Sequence, residues 1–348
     1  MYPRFLSRFS WFWLDRYQKL ALAWAGGVIL GGIILFYPLR QVFAGNWIVR
    51  QQLEIPLSFL PGFEVFNYPS LIVRYYALCL LAGILSGYVL ALYLAKRRRI
   101  GGTVIDRLLI GLAVVGLFGA RVFYALFNFN SFVQNPGLLL RINEGGLAFF
   151  GMFLAGTAFL YFYCRRYKFN FFEFGDILAP SLLLGQIFGR FGNFFNYEAY
   201  GGPTSVFWKM YVPDVVNFYD SLNQKFFHPT FLYEIIPNCL LLFILLWYYA
   251  RLTKKRAGLV FALYLSGYGM IRFGTEFFRL DALTVSLPAR WQSEIFGILV
   301  DRVKVSQLLA TVIFGVGVWL YLARRKVVYL QRQPVTTLTT ASQSKIVF

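Results

Sequence analysis

A single histidine and three cysteines in 348 residues leave little with which to build a metal centre. Cys79, Cys164 and Cys239 show no ligand spacing, and two of them lie inside apolar runs. Small packing residues account for them better than a disulfide framework or a zinc site does. Charge is also scarce. Only 14% of the residues are Asp, Glu, Lys or Arg, where a soluble domain carries about a quarter. Acidic residues are the rarer sign, with 15 against 34 lysines and arginines, for a net charge of +19. An excess of that size suits nucleic acid in principle, but here the basic residues sit in short clusters between long apolar runs. That distribution fits membrane topology and attraction to anionic lipid, and no nucleic-acid partner is expected.

Apolar residues are abundant: 58% of the chain is hydrophobic and 39 residues are phenylalanine. Apolar stretches near 20–38, 71–94, 107–127, 146–163, 173–196, 230–250, 257–279 and 304–323 predict eight spans. In hydrocarbon each must be a helix or part of a closed barrel, and runs this long exclude barrel strands. The expected fold is an all-α integral membrane protein. With the N-terminus in the cytoplasm, the inside segments hold 21 lysines and arginines and the outside segments 8. The bias places both termini inside. Residues 1–45 read as a separate N-terminal signal-anchor helix, with cleavage after Val42-Phe43-Ala44 as the alternative. Residues 46–330 form the main membrane domain. Residues 331–348, rich in Thr, Ser and Gln, form a disordered cytoplasmic tail.

Five basic residues remain, all arginine and all within the predicted spans: Arg74, Arg121, Arg190, Arg272 and Arg279. A charge at the centre of a membrane helix costs upwards of ~2.5 kcal/mol. The topology puts all five in the outer halves of their spans. Snorkelling to the interface accounts for Arg279 and Arg74 but poorly for the deeper Arg190 and Arg272. A shared anionic ligand accounts for more, because guanidinium matches phosphate in a bidentate manner. In Gly189-Arg190-Phe191-Gly192-Asn193-Phe194-Phe195-Asn196-Tyr197-Glu198-Ala199-Tyr200-Gly201, helical spacing aligns Arg190, Asn193 and Tyr197. Gly185, Gly189 and Gly192 thin the same helix for close approach. In the stretch from Tyr268 to Arg279, the residues Tyr268, Arg272, Glu276 and Arg279 follow i, i+4, i+8 and i+11 spacing. A purely structural ion-pair ladder is the alternative reading of that face.

The first of these segments resembles the signature of bacterial prolipoprotein diacylglyceryl transferases, and the second resembles that family's Tyr-Gly…Arg-Phe…Glu-Phe-Phe-Arg segment. Further matches run in order: Arg74-Tyr75-Tyr76, Gly119-Ala120-Arg121, Glu144-Gly145-Gly146-Leu147, Asp176 with Ala179-Pro180, and His228-Pro229 with Leu232-Tyr233-Glu234. The resemblance covers about residues 65–325 and implies a bundle of seven family-like transmembrane helices, to which this chain adds one at its N-terminus. It also implies transfer of the diacylglyceryl group of phosphatidylglycerol to the lipobox cysteine of a preprolipoprotein, at the outer face of the bacterial cytoplasmic membrane, with release of glycerol phosphate. No metal or cofactor is expected. By resemblance Arg190, Asn193, Glu198 and Arg272 are catalytic, while Tyr76, Arg121, Gly201, Tyr268, Glu276, Arg279 and His228 contact substrate.

One position departs from the pattern. The family's Gly-Gly…Phe-His-Gly segment here reads Gly145-Gly146-Leu147-Ala148-Phe149-Phe150-Gly151, with Phe150 in place of the histidine. A cysteine thiol of pKa ~8.5 is already a few per cent thiolate at neutral pH. General-base help is worth ~10²–10⁴-fold. The sequence therefore leaves open a slower enzyme, one using Tyr76, Glu198 or His228 as base, or a lipid-binding relative that no longer transfers. An anion transporter ranks last, because no polar path crosses the inner half of the spans.

Overall fold

The computed structural model describes residues 51–56, 70–129, 133, 137, 148–213, 225–251, 257–279, 284–286, 293–295, 298–300 and 302–325. The first expected span, the tail and the Glu144–Leu147 motif lie outside them.

Seven helices follow one another among the described residues: α1 Tyr75–Arg97, α2 Gly102–Phe127, α3 Phe149–Arg166, α4 Phe171–Asn196, α5 Thr230–Arg251, α6 Leu259–Glu276 and α7 Val305–Arg324. Each begins and ends within a few residues of an apolar run. Five of them, α1, α2, α4, α5 and α7, are long and apolar enough to cross a membrane, and the protein is a multi-pass membrane protein. Their outward faces carry Ile84, Val89, Ile110, Phe118, Leu240 and Trp319, all exposed, as lipid contact requires. The main packing pairs are α1 with α4, α6 with α7, and α2 with α3. Close approach of α2 to α3 depends on Gly119 and Gly151. A Cβ at Gly119 would stand 2.2 Å from the Ala155 Cβ.

Short antiparallel ladders join the helices, which an all-α expectation did not include. β1 Gln52–Pro56 pairs with β2 Ser70–Arg74, and β3 Met210–Tyr211 with β4 Phe226–Phe227. Between α6 and α7, β5 Thr284–Ser286 pairs with β8 Arg302–Lys304, enclosing β6 Ser293–Ile295 and β7 Ile298–Val300. Arg74 is accordingly not inside a span. It is the last residue of β2 and the N-cap of α1, and it is exposed. Its apolar neighbours Leu71, Ile72 and Val73 belong to a strand, and their run alone could not tell strand from helix.

The basic ends of α1 and α5 meet the starts of α4 and α6 at a buried acid. Asp176, wholly buried, accepts the backbone N–H of Gly258 (2.8 Å) and of Phe261 (2.9 Å), and Arg98 approaches it at 3.5 Å. The Arg98 guanidinium also lies 5.0 Å from the Tyr249 ring centre, and the Tyr249 hydroxyl donates to the Leu94 carbonyl at 2.8 Å. Four helices are thereby held in axial register. At their opposite ends the same helices bring together the residues of the candidate site.

Candidate functional site

The last turns of α4 set the first half of the site. Asn170 caps the start of this helix by accepting the Phe172 N–H, and its far end stops where Tyr197 adopts a left-handed backbone (φ 53°). Ala199 is left-handed as well (φ 55°), and the two turns fold the chain back on the helix. Glu198 then accepts from Asn193 (3.4 Å) and Asn196 (3.0 Å), while Asn193 accepts from Arg190 Nη1 (3.2 Å). Arg190, Asn193 and Glu198 thus form one chain of charge-assisted hydrogen bonds. Tyr197 is not part of this chain of bonds. Its side chain is buried, because the backbone leaves the helix at that residue.

The second half comes from α5 and α6. Glu234, in the first turns of α5, is 2% exposed and lies at the centre. Arg190 Nε reaches its Oε2 at 2.7 Å, Arg272 Nη1 reaches its Oε1 at 2.9 Å, and Arg279 Nη1 stands 3.9 Å away. Arg272 Nη2 also pairs with Glu276 at 2.9 Å, one turn further along α6. Arg279 lies beyond the end of α6, in a turn bridged to Gly201, so the expected helical alignment holds only as far as Glu276. Lys304 donates to the carbonyls of Glu276 (2.5 Å) and Arg279 (2.9 Å), and Ser306 donates to the Glu276 carboxylate. These contacts satisfy the end of α6 and hold the second acid in place.

Three guanidiniums and the Lys304 ammonium against Glu198, Glu234 and Glu276 leave one positive charge, in a site where Glu234 and Glu276 are buried and the arginines only partly so. The side chains of Arg190 and Arg272 are 20% and 19% exposed. Such a site favours an anion, and its donors are already oriented.

Tyr76, on α1, abuts this network. Its ring packs where a Cβ at Gly192 would stand, 2.7 Å from Tyr76 Cδ2, which explains the glycine. Tyr268, one turn inward of Arg272, stacks on Tyr264 with ring centres 5.8 Å apart. Gly201 has no room for a side chain: a Cβ would meet the Phe278 carbonyl at 2.6 Å and the His228 Cβ at 2.8 Å. Its N–H donates to the His228 carbonyl (2.9 Å), and the Gly202 N–H donates to that of Phe278 (3.0 Å), so the turn after α4 is laced to the end of α6. Arg121 is buried on α2, with its guanidinium over the Tyr124 ring at 5.8 Å.

His228 Nδ1 lies 2.9 Å from the Tyr233 hydroxyl, which accepts from the Trp208 indole at 2.6 Å. An indole can only donate, so the phenol keeps its own proton to give, and an unprotonated His228 Nδ1 can accept it. Burial holds the imidazole pKa below its usual 6.5. Tyr233 and Pro237 of α5, with Met270, Ile271, Gly274 and Phe278 from α6 and its end, line a groove of about 300 Å³.

Reasoning from sequence alone names Glu234 only as the end of a family match and gives it no role, yet it joins both halves. The signal was present, since a carboxylate inside an apolar run is as costly as an arginine. Among the described residues no group of three or more His, Cys, Asp or Glu stands together as a metal site would.

The family model of prolipoprotein diacylglyceryl transferase matches residues 64–323. A phosphatidylglycerol–prolipoprotein diacylglyceryl transferase of Synechococcus sp. (strain CC9902) is 36% identical over 274 residues, covering 76% of this chain and 95% of the relative. A protein of the same description from Fervidobacterium nodosum is 37% identical over 257 residues, covering 74% and 84%. One from Gloeobacter violaceus is 36% identical over 266 residues, covering 76% and 94%.

Proposed function

The chain belongs to the prolipoprotein diacylglyceryl transferase family, and from that footing we propose that it transfers the diacylglyceryl group of phosphatidylglycerol to the lipobox cysteine of a preprolipoprotein. One observation carries the assignment of residues. Arg190 and Arg272, from two different helices, converge on a single buried carboxylate at 2.7 and 2.9 Å. Two guanidiniums held one carboxylate apart are spaced for the two free oxygens of a phosphodiester.

In the reaction the cysteine sulfur attacks the diacylglyceryl carbon bearing the phosphate. A C–S bond forms as the C–O bond breaks, and glycerol phosphate leaves with the bridging oxygen and its electron pair. The thiol proton goes to a base. Arg190 and Arg272 meet the charge gathering on the leaving phosphate, a role typically worth ~10²–10³-fold per donor. Asn193 and Glu198 orient the headgroup through the hydrogen-bond chain from Arg190, and Tyr76 contacts the lipid beside Gly192. Gly201, Glu276 and Arg279 shape the rim. Tyr268, Arg121 and His228 complete the substrate-contacting set. No metal or cofactor takes part.

Membership of the family supports a bacterial inner-membrane location, and the 21-to-8 distribution of basic residues supports cytoplasmic termini with the site towards the outer leaflet. The family match spans residues 64–323, so residues 1–45 and 331–348 lie outside it.

Purified protein incubated with phosphatidylglycerol and a lipobox peptide tests the assignment through the peptide's mass. A diacylglyceryl adduct is expected. Absence of the adduct, while a relative carrying the family histidine succeeds in the same assay, would leave a lipid-binding protein in which Phe150 marks the lost chemistry.

A further inference from the structure

One turn inward of the arginine cluster, three helices each carry an uncharged polar side chain. Gln186 precedes Arg190 by four residues on α4, Asn238 follows Glu234 by four on α5, and Tyr268 precedes Arg272 by four on α6. Helical spacing sets each of them beneath its charged partner, facing the same interface. Gln186 Nε2 donates to the Tyr264 hydroxyl at 3.0 Å. Among the described residues its Oε1 is buried without a hydrogen-bond partner, and so are both Oδ1 and Nδ2 of Asn238, a residue 0% exposed.

An amide buried with neither end paired is rare, and inside a membrane no bulk water stands by to compensate. An apolar residue of the same size would cost less there. The arrangement makes sense if the missing partner arrives with the ligand. The α4 side offers an approach, since a Cβ at Gly189, on the face between Gln186 and Asn193, meets nothing within 4 Å. Asn238 itself is fully enclosed, so a ligand reaches it by parting the packing between α4 and α5.

Building on the transferase reading, we infer that this amide layer is a seat for hydroxyl groups and receives the glycerol of the phosphatidylglycerol headgroup while the arginines hold its phosphate. One helical turn, ~5.4 Å, separates the layers, the span of the few bonds between a phosphate and the hydroxyls of its glycerol. Each hydroxyl both donates and accepts. Asn238 supplies a free donor and a free acceptor, and Gln186 a second acceptor. Neutral amides offer no counter-charge to an ammonium, so the layer selects a polyol headgroup over ethanolamine. Asn238 and Gln186 are thereby specificity residues, distinct from the arginines that any anionic phospholipid would engage.

The test compares two donors in mixed micelles: phosphatidylglycerol, and phosphatidylethanol, which has the same singly charged phosphodiester but no headgroup hydroxyl. The wild-type protein should prefer phosphatidylglycerol in kcat/KM by at least ~10-fold, because a site built around hydroxyls rejects an analogue lacking them. Asn238→Leu and Gln186→Met should each shrink that preference several-fold, by slowing phosphatidylglycerol while leaving phosphatidylethanol unchanged. Both variants exchange a buried amide for an apolar side chain of similar size, and general damage to the fold would lower both donors together. Equal use of the two lipids by the wild type, or an unaltered ratio in both variants, overturns the inference while leaving the transferase reading intact. If neither lipid donates, it is the transferase reading that fails. Retention of the two lipids measured by native mass spectrometry then decides the inference by the same ratios.

Discussion

Replacing Glu234 with glutamine keeps the shape of the side chain and removes its charge. Three guanidiniums approach this carboxylate, Arg190 at 2.7 Å, Arg272 at 2.9 Å and Arg279 at 3.9 Å, and the acid itself is 2% exposed. In Glu234→Gln the net charge of the site rises from one positive to two. The amide can accept one hydrogen bond, but its NH₂ then faces the other guanidinium donor to donor. Removing one partner of a buried ion pair typically costs ~3–5 kcal/mol. Because the two nearer arginines retain a fifth of their surface, the lower end, ~3 kcal/mol, is the expected loss. The catalytic penalty adds to it. Arg190 and Arg272 lose the group that sets their separation, and a displacement of ~1 Å costs ~10²-fold in rate. Reversible unfolding in mixed micelles gives the first quantity, and the peptide-mass assay under saturating phosphatidylglycerol gives the second. Glu234→Asp, which keeps the charge and draws it back by one methylene, should fall between the two proteins. A glutamine variant within ~0.5 kcal/mol of wild type, the range of an ordinary surface change, and with unchanged turnover would refute the idea that this carboxylate assembles the site.

Arg190→Lys and Arg272→Lys keep the charge but lose the planar fork, so each should lower kcat by about 10²-fold, and Arg272→Lys, which cannot span Glu234 and Glu276 together, should also lower the melting temperature, though less than Glu234→Gln does. Gly201→Ala forces a methyl group within 2.6 Å of the Phe278 carbonyl and 2.8 Å of the His228 Cβ. It should cost ~1–3 kcal/mol in detergent melting and loosen the link between the turn after α4 and the end of α6. His228 has its pKa lowered by burial, so between that lowered value and 6.5 the unfolded chain binds more protons than the folded one. Its contribution to stability is therefore full above pH 6.5 and lost as the pH falls through the folded value, and His228→Asn should flatten the melting profile between pH 7 and 5.

Helix placement was legible because apolar runs of about twenty residues have one common use, and the helix ends fell close to the ends of those runs. The polar site was legible for a related reason. Each charge left inside a span must be offset by something, so Arg190, Arg272 and Glu276 drew attention unaided. What failed did so where helical spacing was carried past a helix end. Tyr197 turns left-handed and buries its ring, Arg279 reaches the cluster from a turn, and Arg74 belongs to a strand. Local backbone geometry decides all three, and apolar periodicity says nothing about it.

Glu234 and Asn238 were missed for different reasons, and the difference bears on how the site works. Glu234 was hidden by attention to positive charge alone, though its cost inside the apolar run of α5 was visible. Asn238 sits one turn further into the same helix, and a neutral amide raises no alarm in a sequence; only the structure reveals that both ends of it are buried and, among the described residues, unpaired. The fold has already satisfied the first residue: arginines from α4 and α6 meet Glu234 before any lipid arrives. It has left the second unsatisfied. A site whose ionic layer is complete and whose neutral layer is waiting can hold any phosphodiester weakly through charge, yet close fully only around one that brings hydroxyl groups. Selectivity would then arise in the layer that carries no charge, beneath the arginines that gave the site away.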